Sequence, residues 1–196
     1  MSKLLGITGG FGAGKSTVGE LLKSHGVVVI DSDDIVHALL DECQAIKDAV
    51  VARFGVGVRD ADGSIDRKSL AAIVFADPAA RKDLEAIIHP AVRDTVAKKL
   101  KEHFNEPVIA LLIPLLFEAG MENMFDEIWS VACPYDTCVQ RLKERSGLTK
   151  EEIDLRMQAQ LSQKEKNARA HVVVDNSDTV EETGVQVARL IDKLRC

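Results

Sequence analysis

The chain has 196 residues, and its 25 Lys and Arg against 31 Asp and Glu give a formal net charge of −6. With 46% hydrophobic and 29% charged residues, the composition is that of a folded globular chain and excludes a disordered one. The length favours a single domain with a substantial core. The acidic balance argues against a general nucleic-acid binder, which needs an excess of Lys and Arg.

Neither a membrane span nor an export signal is predicted. The longest uncharged apolar run, Val108–Phe117, has ten residues, about half of the ~20 that a spanning helix needs. The first 16 residues hold five glycines and Lys15, where a signal peptide needs an apolar core. No C-x-x-C pair occurs, so we expect a cytoplasmic protein with no membrane partner and with reduced thiols at Cys43, Cys133, Cys138 and Cys196.

Strand and helix patterns alternate along the chain. Short runs rich in β-branched residues predict five buried strands, at Leu4–Thr8, Val27–Ile30, Val108–Ile113, Ile128–Ala132 and Val172–Val174. Helices are predicted in the gaps, among them Lys15–Ser24, one that begins with Asp34–Leu40, and Asp178–Leu194. This alternation predicts a parallel sheet covered by helices on both faces, the three-layer α/β architecture.

The stretch between the second and third strands is far longer than a crossover needs. It runs for about 75 residues, from Ser32 to Pro107, and its pattern is helical throughout. Asp66 and Asp77 are expected to cap two of its helices, and Pro90 should kink the last helix or make it restart. We therefore predict one domain, residues 1–196, which carries a helical insert at residues 34–106.

One motif carries a recognisable chemistry: Gly9–Ser16 fits G-x-x-x-x-G-K-[ST] between a predicted strand and a predicted helix. Its glycines let backbone N–H groups point at phosphate oxygens, and the helix N-terminus adds a favourable dipole. Lys15 is expected to reach the β- and γ-phosphates, and Ser16 to offer its oxygen to Mg²⁺. A glycine turn with a chance lysine is the alternative, and the flanking elements argue against it.

Two aspartates follow the second predicted strand. The carboxyl ends of parallel strands line the ligand crevice, so a carboxylate there could accept the proton of an attacking hydroxyl. Spacing alone leaves Asp31 and Asp33 open as that carboxylate. Aspartates after a strand also cap the next helix, a task that Asp34 could fill.

A local reversal of charge lies after the fourth predicted strand. Residues 141–169 hold eight Lys and Arg against five Asp and Glu, although the chain as a whole is acidic. A basic helical segment at this place is typical of a mobile lid that excludes water, although most charge runs are solvated faces. Arg141, Arg145 and Arg156 are the candidates to reach phosphates, and Thr149 with Glu152 predicts a capping box.

These motifs in this order resemble the dephospho-CoA kinase family over essentially the whole chain. The matching stretches are Gly6–Ser16, Val29–Asp33, Asp62–Arg67, His89 with Pro90, Pro114–Glu118, Arg141–Arg145 with Arg156 and Gln160, and Val173–Ser177. The resemblance implies a P-loop kinase fold with a five-stranded parallel sheet, a helical acceptor-binding insert and a helical lid at 141–169. It further implies that the ATP γ-phosphoryl group is transferred, with Mg²⁺, to the ribose 3′-hydroxyl of dephospho-CoA, in the last step of coenzyme A synthesis. We expect a monomer or a weak homo-oligomer that binds no nucleic acid.

The resemblance also implies roles for the matching residues. The catalytic residues would be Asp33, Lys15 and Arg141, with Asp33 accepting the proton of the 3′-hydroxyl or orienting that hydroxyl. ATP would be bound by Gly12, Ala13, Gly14, Lys15, Ser16, Thr17, Arg141, Arg145 and Asn176, and Mg²⁺ by Ser16. Dephospho-CoA would be bound by Thr8, Asp33, His89, Leu115 and Leu116.

Two positions depart from the family pattern. Four residues after the second Asp of the Asp-x-Asp element, where the family usually has Arg, this chain has His37, so a contact there would be weaker or pH-dependent. After Asn-Ser, where the family tends to have Gly, this chain has Asp178, which puts the shape of that turn in question.

Three other functions compete with this interpretation. Another small-molecule or nucleotide kinase of the same architecture would lack the markers of the insert and of Pro114–Glu118. A GTP-dependent switch protein would carry an Asn-Lys-x-Asp motif, and this sequence has none. A pure binding module would leave Asp33 without a task.

Overall fold

The computed structural model describes residues 2–195, so Met1 and the predicted thiol of Cys196 lie outside the described residues. The chain divides into two compact units. The larger unit consists of residues 2–31 and 102–195, and the smaller unit of residues 32–101.

A five-stranded parallel sheet forms the centre of the larger unit, in the order β2-β3-β1-β4-β5. Its strands are β1 (Lys3–Gly9), β2 (Val28–Asp31), β3 (Val108–Leu112), β4 (Glu127–Ala132) and β5 (Val172–Asp175). All five predicted strands are therefore confirmed. Because β1 lies in the middle of the sheet, the loop that follows it emerges at the centre of the carboxyl edge, where ligands bind in open parallel sheets.

The helices follow the predicted alternation. They are α1 (Lys15–Ser24), α2 (Ser32–Glu42), α3 (Gln44–Phe54), α4 (Arg67–Ala76), α5 (Pro78–Glu102), α6 (Tyr135–Ser146), α7 (Lys150–Gln158), α8 (Gln163–Arg169) and α9 (Val180–Arg195). Single 3-10 turns occur at Val56–Val58 and Glu122–Met124. The predicted helix Lys15–Ser24 is confirmed at both ends, and the predicted capping box of Thr149 and Glu152 opens α7.

Both faces of the sheet are covered, as the three-layer architecture requires. On one face, Leu5 and Ile7 of β1 share a fully buried core with Val18 of α1 and Val187 of α9. Gly6 points to the opposite face, where a Cβ atom would lie 2.8 Å from Cδ1 of Leu116. The predicted α/β fold with a covered parallel sheet is confirmed.

The smaller unit has a core of its own, built from α2 to α5. Its buried members are Leu40, Ile46, Val50, Val58, Ile65, Leu70, Val74 and Ile88. The expectation of helix throughout this stretch is wrong for residues 55–66, which hold a 3-10 turn and a bridge between Arg59 and Ile65. Asp66 caps α4 as predicted. Its hydrogen bonds with Ser69 and, to a smaller extent, with the Lys68 N–H lower the pKa of the Asp66 carboxyl.

Three local expectations in this unit have different outcomes. Helix α5 does not restart at Pro90, because the helix of 25 residues runs unbroken from Pro78 to Glu102, with Ile88 and Val96 buried on either side of the missing N–H donor. A kink at Pro90 stays a prediction. The cap at Asp77 is nevertheless present, since Oδ1 accepts the Ala79 N–H at 2.8 Å. Asp34 is not a cap, because α2 already begins at Ser32.

Candidate active site

The loop between β1 and α1 carries the predicted phosphate-binding motif, and two of its glycines are required by its geometry. Gly12 and Gly14 adopt φ values of +80° and +95°, in the left-handed region that other residues rarely enter. A Cβ atom at Gly14 would lie 2.0 Å from Nδ2 of Asn176, and one at Gly12 would lie 2.7 Å from Cδ1 of Leu142. The loop therefore has no room for a side chain at either position.

The Lys15 ammonium lies over this loop. Lys15 is the first residue of α1, and its Nζ donates hydrogen bonds to the carbonyl oxygens of Gly9 at 3.0 Å and Gly10 at 3.2 Å. The first turn of α1 adds backbone N–H groups without helical partners and the positive end of the helix dipole. Together these groups make the loop an anion-binding site.

Asn176 holds the phosphate loop at Ala13, just before α1 begins. The residue follows β5 and is 3% exposed, and its Nδ2 donates a hydrogen bond to the Ala13 carbonyl at 2.8 Å. Its Oδ1 accepts the Thr183 hydroxyl at 3.0 Å, which fixes the orientation of the amide. The position of Asn176 near the adenine stays a prediction. Thr183 was not predicted from the sequence, although an Asn in a turn after a strand indicates that side-chain hydrogen bonds hold the turn.

The carbonyls of the turn at 176–178 hold the Arg141 side chain. Its Nη1 donates to the Asn176 oxygen at 2.7 Å, and its Nη2 donates to Ser177 and Asp178 oxygens at 3.4 and 3.2 Å. The departure at Asp178 does not strain the backbone, because within residues 2–195 only glycines adopt positive φ. Asp175 closes the turn, since Oδ1 accepts the Ser177 N–H at 2.9 Å.

A cavity of about 470 Å³ lies beside the phosphate loop. It is lined by Gly12, Gly14, Thr17, Arg141, Leu142, Glu144, Arg145, Asn176 and Val180. Six of these residues belong to the predicted ATP-binding set: Gly12, Gly14, Thr17, Arg141, Arg145 and Asn176. The structure thus brings together the loop, two arginines and the Asn176 turn in a concave site of the size that small ligands occupy.

The segment predicted as a lid packs on the tip of the phosphate loop. Phe11 joins a small apolar cluster of α6 and α7, whose buried members are Val139, Leu142 and Ile153. The Arg156 guanidinium carbon lies 5.4 Å above the centre of the Phe11 ring, a cation–π distance. The structure therefore places Arg156 against an aromatic ring of the loop, and its contact with phosphates stays a prediction.

The residues expected on the acceptor side are placed as follows. Asp31 ends β2, and Asp33 lies exposed in the first turn of α2. His37 is four residues further along the same helix and is also exposed, so the two share a helix face. His89 is exposed in the middle of α5. The acceptor contacts of Asp33 and His89 remain predictions.

Thr8, Leu115 and Leu116 differ in how much a ligand could touch them. Thr8 is fully buried, and its hydroxyl donates to the Pro114 carbonyl at 3.1 Å. Leu116 is fully buried against Gly6, whereas Leu115 is half-buried. Of these three side chains, only that of Leu115 has surface for a substrate, so Thr8 and Leu116 would act through the backbone or through packing.

Comparison with known proteins decides the family. A family model described as dephospho-CoA kinase matches residues 3–182, which is more than nine-tenths of the chain. The chain belongs to the dephospho-CoA kinase family. This match spans the phosphate loop, the whole of the smaller unit and the Asn176 turn.

Individual proteins, two of them described as dephospho-CoA kinases, are similar to this chain over nearly their full lengths. One from Geobacter sulfurreducens is 43% identical over 181 residues, which is 91% of this chain and 92% of that relative. A crystal structure of a Thermus thermophilus protein has a TM-score of 0.84 at 35% identity and covers 98% of both chains. The dephospho-CoA kinase of Campylobacter jejuni has a TM-score of 0.70 at 27% identity and covers 100% of this chain and 98% of its own.

Membership of the dephospho-CoA kinase family makes the chain a phosphotransferase, so the predicted family, P-loop kinase fold and enzyme class are confirmed. Another small-molecule kinase is not favoured. Among residues 2–195, no helix has both the length and the apolar character needed to cross a membrane.

The three described cysteines, Cys43, Cys133 and Cys138, are free thiols. Burial, with smaller effects from Cys133, raises the pKa of the Cys138 thiol to about 12.

Proposed function

We propose that the chain transfers the γ-phosphoryl group of ATP to the ribose 3′-hydroxyl of dephospho-CoA, which gives coenzyme A and ADP in the last step of coenzyme A biosynthesis. The observation that carries this proposal is the extent of the family match, residues 3–182. The similarity is not confined to the phosphate loop, which many nucleotide-binding proteins share. It includes the insert and the segment after β3, where an acceptor-specific enzyme differs from other kinases.

The phosphate loop and its neighbours would bind ATP. Backbone N–H groups of Gly12–Thr17 would hold the triphosphate, and the Lys15 ammonium would balance the charge that develops on the transferred group. Arg141 and Arg145 line the adjoining cavity and would contact ATP there, while Asn176 holds the loop in shape. The hydroxyl of Ser16 is exposed on the first turn of α1, and such a hard oxygen fits Mg²⁺, which when bound neutralises the β- and γ-oxygens.

Asp33 would act on the acceptor. A ribose hydroxyl is a very weak acid, so a carboxylate that accepts its hydrogen bond both orients the oxygen and takes the proton as the bond to phosphorus forms. The transition state is loose in most analyses, which makes orientation the larger part of this task. His89 and Leu115 would contact the remainder of dephospho-CoA.

We further propose one kinase domain with an acceptor-binding insert at 34–106 and a lid at 141–169. The enzyme would act in the cytoplasm on small molecules, as a monomer or a weak homo-oligomer. Its acidic composition supports substrates other than nucleic acid, because phosphate neutralisation over a long polymer needs an excess of Lys and Arg.

The deciding experiment is an ATP-dependent assay with dephospho-CoA, in which phosphorus NMR locates the new phosphate on the product. We expect a 3′-monophosphate, and no comparable turnover of a nucleoside monophosphate or a sugar acid. The Lys15→Ala variant serves as the control; it should stay folded and lose activity, because the charge opposite the transferred group is gone. Equal turnover of the other acceptors, or a fully active Lys15→Ala variant, would contradict the proposal.

A further inference from the structure

Helix α8 contacts the phosphate loop through Gln163. Its Oε1 accepts the Gly10 N–H at 2.8 Å. Its Nε2 donates to Ser130 Oγ of β4 at 3.0 Å and to Asn167 Oδ1 at 2.6 Å, and Ser130 Oγ donates to the same Asn167 oxygen at 2.8 Å. Because both amide protons have acceptors in this triangle, the amide oxygen is oriented towards Gly10. The first part of the loop is therefore fastened to β4 through one side chain.

One turn further along α8, Lys166 contacts the segment after β3. Its side chain is 0% exposed, and its Nζ donates to the Pro114 carbonyl at 2.5 Å and pairs with Glu118 Oε1 at 2.9 Å. The Thr8 hydroxyl donates to the same Pro114 carbonyl, and Glu118 Oε1 also accepts the Leu161 N–H at 2.8 Å. A buried ammonium is costly unless it is paired and hydrogen-bonded, and here both conditions are met.

The two contacts lie on one face of a short helix, because residues three apart are neighbours on a helix surface. Gln163 acts on the loop after β1, and Lys166 acts on residues 114–118 after β3. Since β1 and β3 are adjacent parallel strands, both segments leave the sheet at its carboxyl edge. The basic segment 141–169 therefore contains a part that is fastened to this edge on both sides.

We infer that α8 is a fixed brace, which sets the phosphate loop and the segment 114–118 at their working separation, and that Gln163 and Lys166 are positioning residues for phosphoryl transfer. The assignment of segment 114–118 to the acceptor rests on the proposed function. Neither residue needs to touch a substrate for this role. Only α6 and α7 are left to move as a lid.

The experiment separates the two contacts. Gln163→Leu should weaken ATP binding about 2- to 12-fold in isothermal titration, which corresponds to the loss of a net ~0.5–1.5 kcal/mol from one hydrogen bond. Lys166→Met should lower kcat with dephospho-CoA by about 10²-fold, the cost of a misplaced reactant, while ATP affinity stays within twofold. Lys164→Met, the same substitution at an exposed position of the same helix, is the matched control and should behave as wild type.

A second variant distinguishes positioning from charge balance. Lys166→Met leaves the Glu118 carboxylate, 20% exposed, without its cation, which threatens folding. The double variant Lys166→Met with Glu118→Gln removes both charges, so it should fold while the Pro114 carbonyl lacks the Lys166 ammonium and keeps only the Thr8 hydroxyl as a donor. A slow double variant supports the brace. A double variant with wild-type kcat shows that Lys166 only neutralises Glu118 and overturns its positioning role.

The outcomes also separate this inference from the proposed function. If the wild-type chain does not phosphorylate dephospho-CoA, the proposed function fails, but the ATP titration of Gln163→Leu still tests the brace. If the wild type is active while Gln163→Leu binds ATP normally and Lys166→Met matches Lys164→Met in kcat, the brace is overturned and the function stands.

Discussion

Asn176 and Ala13 are separated by 163 residues in sequence, and the side-chain amide of the first donates to the carbonyl of the second at 2.8 Å. The hydrogen bond joins the turn after the last strand to the loop after the first strand. The Thr183 hydroxyl fixes the other end of the amide. Since the Asn176 carbonyl also accepts from Arg141, one residue holds both the phosphate loop and an arginine that lines the adjoining cavity.

The first prediction concerns this residue. Asn176→Ala removes the side-chain donor to the Ala13 carbonyl, which should lower the free energy of unfolding by about 1–3 kcal/mol. The Thr183 hydroxyl keeps the Thr179 carbonyl as an acceptor. ATP affinity should also fall, because the loop loses its fastening. Denaturant unfolding and isothermal titration measure the two effects. Unchanged ATP affinity in a destabilised variant would show that the loop keeps its shape without Asn176.

Gly14 tests the same contact from the other side. Gly14→Ala forces a side chain into φ +95°, at a cost of ~1–2 kcal/mol, and places its Cβ against Nδ2 of Asn176. We expect ATP affinity to fall at least tenfold. Gly57→Ala is the matched control, because a Cβ atom there meets nothing within 4 Å and its φ is ordinary. Adding Asn176→Ala should remove the clash with the new Cβ atom but not the backbone strain at φ +95°. Full recovery of ATP affinity in this double variant would contradict the argument from φ.

Arg141 should resist replacement by Lys. The planar guanidinium donates to three carbonyls of one turn, which a single ammonium cannot reproduce. Arg141→Ala is expected to slow phosphoryl transfer by ~10³-fold and to weaken ATP binding more than acceptor binding, and Arg141→Lys should recover little of this loss. Steady-state kinetics with both substrates measures the effect. Lys143→Met, at an exposed position of the same helix, is the control. If Arg141→Ala and Lys143→Met have the same kinetics, Arg141 only holds the turn at 176–178 and does not act on ATP.

Kinetics can distinguish Asp31, the last residue of β2, from Asp33 in the first turn of α2. Asp33→Asn keeps the shape and one acceptor oxygen but removes the charge, so kcat should fall by about 10²–10⁴-fold. ATP affinity should stay within a few-fold of wild type, because Asp33 is proposed to act on the acceptor. Asp31→Asn should reduce kcat less. A larger kcat loss from Asp31→Asn would assign the catalytic carboxylate to Asp31.

Tyr135 offers a spectroscopic test of the lid, since it is the only tyrosine in the sequence. Its hydroxyl donates to Asp154 Oδ1 at 2.5 Å, and this hydrogen bond, followed by desolvation and nearby carboxylates, raises the pKa of Tyr135 to about 12. The folded-state pKa exceeds the unfolded value of about 10, so the stabilisation is complete below pH 10 and is lost as the pH rises through 12.

The near-ultraviolet absorbance of tyrosinate follows this titration directly. Asp154→Asn should bring the midpoint of the Tyr135 titration back towards about 10. No other tyrosine contributes to the signal. A wild-type midpoint at the ordinary tyrosine value would mean that α6 and α7 are not joined by this hydrogen bond in solution.

The features that sequence could predict are those specified within a few residues. The phosphate loop, the start of α1 at Lys15 and the Asp66 cap depend on glycines, on a helix N-terminus and on a side chain that bonds two or three residues ahead. Lys166 shows why other features could not be predicted. In a basic run a lysine is expected in solvent, and its burial depends on a carbonyl of Pro114, 52 residues earlier. Pro90 is a similar case, because packing by buried neighbours overrides a local helix breaker.

The central place of β1 has a consequence for the order of events during synthesis. Its partners β3 and β4 begin at residues 108 and 127. More than 100 residues must therefore be synthesised after β1 begins before this strand can pair. The nucleotide site waits longer still, because Asn176 must arrive before Ala13 is held. At 5–20 residues per second, the 163 residues between them take roughly 8–30 s to make. A nascent chain should therefore acquire full ATP affinity only after Asn176 has been made and has left the ribosome.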